Sequence, residues 1–215
     1  ETLIALARRA GLPETNLALA AVGGYGRREL YPYSDIDVLV LTTDEARDAL
    51  DEKLGAFVTS LWELGLPVGA SVRTESEYAA EAAKNVTVAT TYLESRLLMG
   101  DAALYERSRE TFFSELYAED FFRDKMLERA RRHQRFEDTP YSLEPNLKES
   151  PGGLRDLQVF LWCAQAAGLA QSVPEMASEG LITERERDTL LQCGAFLARL
   201  RIELHLETRR HEDRL

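Results

Sequence analysis

The sequence predicts an α+β protein: a small sheet domain with flanking helices over residues 1–100, followed by an all-helical domain over residues 101–215. Three observations carry this reading. Apolar or alternating runs of strand length occur only ahead of Glu75. Within that stretch a long run with helical spacing separates two of them, so strands and helices interleave. From Glu75 onward the apolar residues recur at helical intervals and the strand pattern stops.

Leu3 to Ala10 opens the chain as a short amphipathic helix, which Gly11-Leu12-Pro13 stops. Leu17 to Val22, small and apolar, is the first strand; Arg27 to Leu30 belong to the helix or turn after it, and Ile36 to Leu41 form the second strand. Asp44 to Leu64 has helical periodicity, with Leu50, Leu54, Phe57, Leu61 and Leu64 near one face, and Gly65-Leu66-Pro67 ends it. Pro67 to Thr74 is the third strand candidate, with Val68, Ala70 and Val72 on one side and Gly69, Ser71 and Arg73 on the other. Glu77 to Asn85, Val88 to Leu98, Ala102 to Phe113 and Asp120 to Arg135 are helical by pattern, with a turn at Gly100-Asp101 suited to capping the next helix. Pro140, Pro145 and Pro151-Gly152-Gly153 break Glu137 to Gly153 into an ordered loop or a linker, and helices resume over Leu154 to Ala167 and Glu184 to Leu206.

At 215 residues, 45% hydrophobic and 29% charged, the chain has the balance of a soluble globular protein with an ordinary core. A net charge of −11 argues against a general nucleic-acid binder, which carries a basic face, but leaves room for a nucleotide, which needs only a few local cations. Cys163 and Cys193 lie in helical surroundings without metal-ligand spacing and are expected to be buried thiols of a reducing compartment. With no run long enough to span a membrane and no signal-peptide pattern, a cytoplasmic protein with no membrane partner is expected.

The stretch from Val22 to Leu41 concentrates the chemistry. Strand alternation puts Asp35 and Asp37 on one face while Ile36, Val38 and Val40 take the other. Two adjacent carboxylates repel unless positive charge sits between them, and Mg2+, which takes carboxylate oxygens together with water and substrate phosphates, supplies it. Upstream, Gly23 and Gly24 allow close backbone approach to a ligand, and a helix starting there would aim free N–H groups at phosphates. An Asp-x-Asp pair alone is commonly just solvated. The order apolar-Gly-Gly, ten residues, Asp-apolar-Asp-apolar is the more specific signal, and it resembles the signature of the polymerase-beta-like nucleotidyltransferase superfamily, which implies a small mixed sheet.

A second segment narrows the resemblance. Tyr141 to Gln158 (YSLEPNLKESPGGLRDLQ) is similar to a segment of the bacterial PII uridylyltransferase/uridylyl-removing enzyme family, and Gly-Gly-Tyr-Gly-Arg through Ser-Asp-Ile-Asp looks like that family's active-site signature. Val68 to Thr74, Glu94 to Asp101 and the closing stretch Leu200 to Leu215 fit in order. The resemblance implies transfer of a uridylyl group from UTP to a tyrosine hydroxyl of a PII-type nitrogen regulatory protein, with two Mg2+ ions and release of pyrophosphate. It implies Asp35 and Asp37 as catalytic metal ligands, Gly23 and Gly24 as a phosphate cradle, Ser34 as an added hydroxyl, and Arg27 as a phosphate-neutralising cation. Arg28 offers the same charge, although an arginine in such a turn is usually solvated.

Several roles stay open at this level. The superfamily's third carboxylate has no match on Val68 to Thr74: Glu75 reaches in, a water serves as base, or the acid lies elsewhere. Arg73 is a nucleotide contact or a surface salt bridge. Lys148 and Arg155 close a positive loop over the triphosphate, or the Pro-Gly-Gly turn and Arg155-Asp156 merely cap and pair locally. Family members continue into hydrolase and sensing domains, and His133, His205 and His211 lack the spacing of a hydrolytic His and His-Asp cluster, so a fragment with transferase activity alone is expected. The competing functions are transfer of another nucleotide, such as an adenylyl group, to another acceptor, and a catalytically silent nucleotide-binding or protein-interaction module.

Overall fold

Six consecutive small apolar residues, Leu17–Val22, are buried without exception, which requires a strand with neighbours on both edges and cover on both faces. The computed structural model, which describes residues 1–139, 141 and 143–215, supplies both. Its first compact unit comprises Glu1–Leu30 and Ser34–Glu115, and its second Tyr31–Tyr33 and Leu116–Leu215. The first unit runs, in order, α1 (Thr2–Arg9), β1 (Leu17–Val22), the single turn α2 (Gly23–Gly26), β2 (Ile36–Thr42), α3 (Arg47–Trp62), β3 (Val68–Thr74), α4 (Glu75–Ala82), α5 (Val86–Leu93), β4 (Arg96–Gly100) and α6 (Ala102–Glu115).

The sheet order is β3-β2-β1-β4. β1 pairs antiparallel with β2 and β4, while β2 and β3, joined by the crossover helix α3, are parallel, so the sheet is mixed and the protein α+β, as expected from the sequence. Leu17, Leu19, Val38 and Val40 on one face meet Leu3 and Ala7 of α1 and Leu50, Leu54, Phe57 and Leu61 of α3. Ile36, Val68, Ala70 and Val72 pack against the same cluster, confirming the predicted sides of β2 and β3. Tyr92 stacks on Phe112 at 5.0 Å and meets Tyr78 edge-on at 4.2 Å, tying α4, α5 and α6 together.

Two local expectations change. The helix read over Val88 to Leu98 divides at Glu94-Ser95, and Arg96–Gly100 is a strand. Leu97, Leu98 and Met99 have helical propensity, but the free edge of β1 offers a ladder from Ala21↔Arg96 to Ala18↔Gly100 and decides the outcome. At Gly100, with φ of +98°, an added Cβ would lie 2.2 Å from the Leu17 carbonyl oxygen, so only glycine allows this approach. The helical turn after β1 is formed by the glycines themselves. Arg27 ends it and Arg28, at φ of +65°, turns the chain away.

In the second unit, α7 (Ala118–Gln134), α8 (Leu154–Ala166), α9 (Val173–Ser178) and α10 (Glu184–Thr208) are all helical, and no strand occurs among the described residues beyond the lone bridge Asn146↔Arg214. α9 was not foreseen, although Ser172 accepting from the Glu175 N–H and Pro174 in the first turn are ordinary start signals. The cysteine expectation is corrected: Cys163 is half-buried and Cys193 exposed, because α10 buries little besides Arg201 and His205. Within Glu137 to Gly153, Pro140 and Ser142 lie outside the described residues.

Candidate active site

The site is built where β1 ends, α2 begins and β2 enters the sheet. Asp37, the second residue of β2, stands between Val22 on β1 and Gly69 on β3. With Ile36 turned into the core, Asp37 points to the opposite face. Its carboxylate occupies a slot that two glycines keep open: a Cβ on Gly69 would lie 2.4 Å from Asp37 Oδ1, and one on Gly23 would lie 3.1 Å from Oδ2. Gly23 also has φ of +58°, a conformation that suits glycine. Asp35 is exposed and immediately precedes the strand, after half-buried Ser34, and the Ile36 N–H that follows it donates to the Pro67 carbonyl at 2.8 Å.

α2 is fixed from β4 and the residues just before it. Arg96 donates from Nη2 to the Tyr25 carbonyl at 3.0 Å and from Nε to the Gly26 carbonyl at 3.3 Å, and its guanidinium lies 5.4 Å from the Tyr25 ring. Arg27 pairs with Glu94 through Nη1 and with Glu29 through Nε at 2.8 Å. Burial pushes the Arg27 pKa down, but the two carboxylates outweigh it and the net shift is upward. The Arg27 charge is therefore already matched inside the fold, and it holds the Gly-Gly turn in place. As in any helix, the first-turn N–H groups of α2 have no acceptors within the helix itself.

Strand register places the remaining candidates. Ser71 pairs with Leu39, two residues from Asp37, or about 7 Å along the sheet. Arg73 pairs with Leu41, about 13 Å from Asp37 at the same rise per residue, and donates to Glu81 Oε2 at 3.1 Å and to the Val72 carbonyl at 2.8 Å. Arg73 thus makes a partly exposed ion pair with Glu81. Glu75 lies beyond the Thr42↔Thr74 pair, more than about 16 Å along. Sequence reasoning passed over Gly69, Glu94 and Arg96. Only the Glu94 to Asp101 resemblance pointed toward the last two.

Lys148 and Arg155 belong to the second unit. Arg155 donates to Glu149 Oε1 at 3.3 Å and Gln158 Oε1 at 2.9 Å, with its guanidinium 5.3 Å from the Trp162 ring. Asp156 accepts from the Gly152 N–H at 2.8 Å and pairs with Arg132 at 2.6 Å and His133 at 3.0 Å. The Pro-Gly-Gly turn is therefore pinned by local pairing. Among the described residues none makes a side-chain hydrogen bond or ion pair with the half-buried Lys148 ammonium. Burial, with the nearby charges of Arg155 and Arg201, lowers its pKa from the ordinary lysine value.

The histidines depart from expectation. His205, His211 and Asp213 come within 4.8 Å of one another, because α10 and the backward turn at Arg209, φ of +53°, fold residues distant along the helix onto Asp213. Arg201 already fills the place of a cation there: Nε and Nη2 grip the Asp213 carboxylate, the latter at 3.2 Å, and Nη2 donates to His211 Nε2 at 3.0 Å.

A sequence model of the family described as GlnD PII-uridylyltransferase matches residues 120–215. A bifunctional uridylyltransferase/uridylyl-removing enzyme of Burkholderia orbicola (strain AU 1054) is 52% identical over 205 residues, 95% of this chain and 24% of the relative. Another, of Burkholderia mallei (strain SAVP1), is 49% identical over 213 residues, 99% of this chain and 25% of the relative. The chain spans about a quarter of the length of these relatives. At about half identity over nearly its whole length, the chain belongs with the family of uridylyltransferase/uridylyl-removing enzymes.

Proposed function

We propose that the chain carries a uridylyl-transfer site: the acceptor, a tyrosine hydroxyl of a PII-type nitrogen regulatory protein, attacks the α-phosphorus of UTP, the bond from that phosphorus to the bridging oxygen breaks, and pyrophosphate leaves. The observation that carries the reading is the Asp37 carboxylate in a slot kept free of side chains by Gly23 and Gly69, next to exposed Asp35. Two hard carboxylate donors, one in a glycine-lined slot and one exposed, suit Mg2+, which takes carboxylate oxygens together with water and phosphate oxygens. When bound by Asp35 and Asp37, the ions would neutralise the triphosphate and the charge that develops on the leaving oxygen.

The chain's own groups do the positioning. Gly23 and Gly24 present backbone N–H groups of the α2 turn to the phosphates, and Ser34 adds a hydroxyl beside Asp35. Arg27 and Arg96 keep that turn rigid from beneath, so the cradle is set before the nucleotide arrives. In the second unit Lys148, an ammonium without a described side-chain partner, is the proposed phosphate-binding cation, with Arg155 beside it. The hydroxyl proton leaves to solvent or to a phosphate oxygen, since β3 carries no carboxylate near Asp37.

The test is transfer of label from UTP, and separately from ATP, to a PII-type protein in the presence of Mg2+. UTP should be used in preference, and Asp35→Ala should abolish transfer with an unchanged circular dichroism spectrum. Full activity in that variant would sink the metal-site reading, and preferential use of ATP would reassign the nucleotide.

A further inference from the structure

Lys148 is a half-buried cation whose neighbouring carboxylates are already taken. The negative charges that reach its ammonium are those of Asp213 and Glu149. Asp213 is gripped through both oxygens by Arg201. Glu149, next to Lys148 in the chain, binds Arg155 through Oε1 at 3.3 Å, and its Oε2 lies 3.8 Å from Arg132 Nε. Arg132 is only 3% exposed and holds the same residue a second way: Nη1 donates to the Glu149 carbonyl at 3.0 Å, while Nη2 donates to Asp156 Oδ1 at 2.6 Å. The loop is closed by its own hydrogen bonds as well. Asn146 Oδ1 accepts from the N–H groups of Lys148 at 3.0 Å and Glu149 at 2.7 Å, and the Lys148 carbonyl accepts from the Arg155 N–H at 2.9 Å. All of these groups belong to the second unit.

A half-buried charge without a counter-ion is unfavourable, and folds carry such departures where a ligand supplies the missing charge. We infer that Arg132 is a positioning residue for Lys148: together with Arg155 it holds Glu149, keeps that carboxylate off the Lys148 ammonium, and so leaves the ammonium for a phosphate oxyanion. Arginine suits the task, because its planar fork reaches a carbonyl and two carboxylates at once, which the point charge of a lysine does not. Burial and the charges of Arg155 and Arg201 weigh against the Lys148 ammonium, and an incoming oxyanion offsets them. The choice of phosphate among anions rests on the transfer reading above, in which pyrophosphate is the leaving group; the restraint on Glu149 does not. Arg132 itself, almost wholly buried and bound to Asp156, acts through Glu149 and is not a phosphate contact.

The experiment titrates the whole chain with pyrophosphate in the presence of a chelator, so that no divalent cation takes part, and reads the dissociation constant by calorimetry. Lys148→Ala should weaken binding on the order of tenfold, as loss of one charged hydrogen bond does. Arg132→Met should weaken it on the order of tenfold too, because Glu149 then pairs with Lys148. In the Glu149→Gln background the same Arg132→Met change should cost less than about twofold, since the competing carboxylate is gone. A residue that only braced the loop would cost as much in both backgrounds, so equal losses would overturn the proposal. Should Arg132→Met fail to fold, Arg132→Lys, which keeps the charge but loses the fork, goes through the same cycle with the same pattern expected at smaller amplitude. Pyrophosphate that does not bind the wild type, or that binds Lys148→Ala equally well, would also overturn it. Label transfer by Asp35→Ala is a separate measurement: full activity there removes the transfer reading, and the pyrophosphate cycle still decides the role of Arg132.

Discussion

Gly69 and Gly26 look alike in a sequence and do opposite things in the fold. A methyl group on Gly69 meets the end of a side chain, Asp37 Oδ1 at 2.4 Å, so the carboxylate must swing aside while the backbone stays. A methyl group on Gly26 meets backbone, the Glu94 carbonyl oxygen at 1.9 Å and the Ala21 carbonyl oxygen at 3.0 Å, and neither can yield without breaking β1 and its neighbour. Gly69→Ala should therefore lower turnover about a hundredfold, as small misplacements of a catalytic group do, with a thermal midpoint close to wild type. Gly26→Ala should cost on the order of 3 kcal/mol of stability by overpacking. Thermal unfolding and labelled-UTP turnover on both variants check the pair, and equal losses of stability would contradict the slot around Asp37. At the same scale, Arg27 shows how a motif residue acquires a different job: its guanidinium is bound to Glu94 and Glu29, so it supports the turn that sequence reading had it serve directly.

Helix starts in this protein carry their own signals. α10 begins at a capping box in which the Thr183 hydroxyl accepts from the Glu186 N–H at 3.2 Å and Glu186 reaches back to the Thr183 N–H at 2.8 Å. The Thr183 backbone N–H holds the exposed Glu186 carboxylate below its ordinary range. Thr183→Ala should cost about 1 kcal/mol, seen as a fall in thermal midpoint of about 2–4 °C, whereas a midpoint unchanged by that variant would mean the first turn of α10 frays regardless. Elements with such local signals, among them β1, β2, β3, α3 and α8, were legible in the sequence to within a few residues. β4 was not, because Leu97, Leu98 and Met99 favour a helix in isolation and become a strand only through the ladder to β1, some eighty residues earlier. The same ladder brings Arg96 to the carbonyls of α2 and so completes the site.

For the molecule as a whole, acid stability follows from two carboxylates of the second unit. Burial pushes Asp213 upward, but its hydrogen bonds and charge pairing with Arg201, joined by His205 and His211, prevail and lower its pKa. Burial likewise opposes, and the Gly152 N–H, Arg132 and His133 outweigh, at Asp156. A carboxyl whose folded pKa is depressed adds stability that is fully present above its unfolded value, about 3.9, and is lost as pH falls through the lower folded value. The urea midpoint should therefore drop as pH falls below about 4 through the loss of these two contributions. Asp213→Asn should be less stable at neutral pH and show a shallower acid decline, and a decline as steep as wild type would assign acid lability elsewhere. Acidic composition sets the charge of the surface. The buried pairs set where stability is lost.

Periodicity and turn residues were enough to determine an α+β protein, its first three strands and the faces of its main helices. These are properties of neighbouring residues, and neighbouring residues govern backbone conformation and side-chain direction. Tertiary structure alone decided that Gly69 opens the slot for Asp37, that Arg73 and Glu75 stand far along the sheet from it, that Arg27 is spent on Glu94, and that His205 meets the Pro32 carbonyl. Each of these depends on strand register or on a contact between residues tens to more than a hundred positions apart. Such contacts come from burying and satisfying groups that local patterns cannot see.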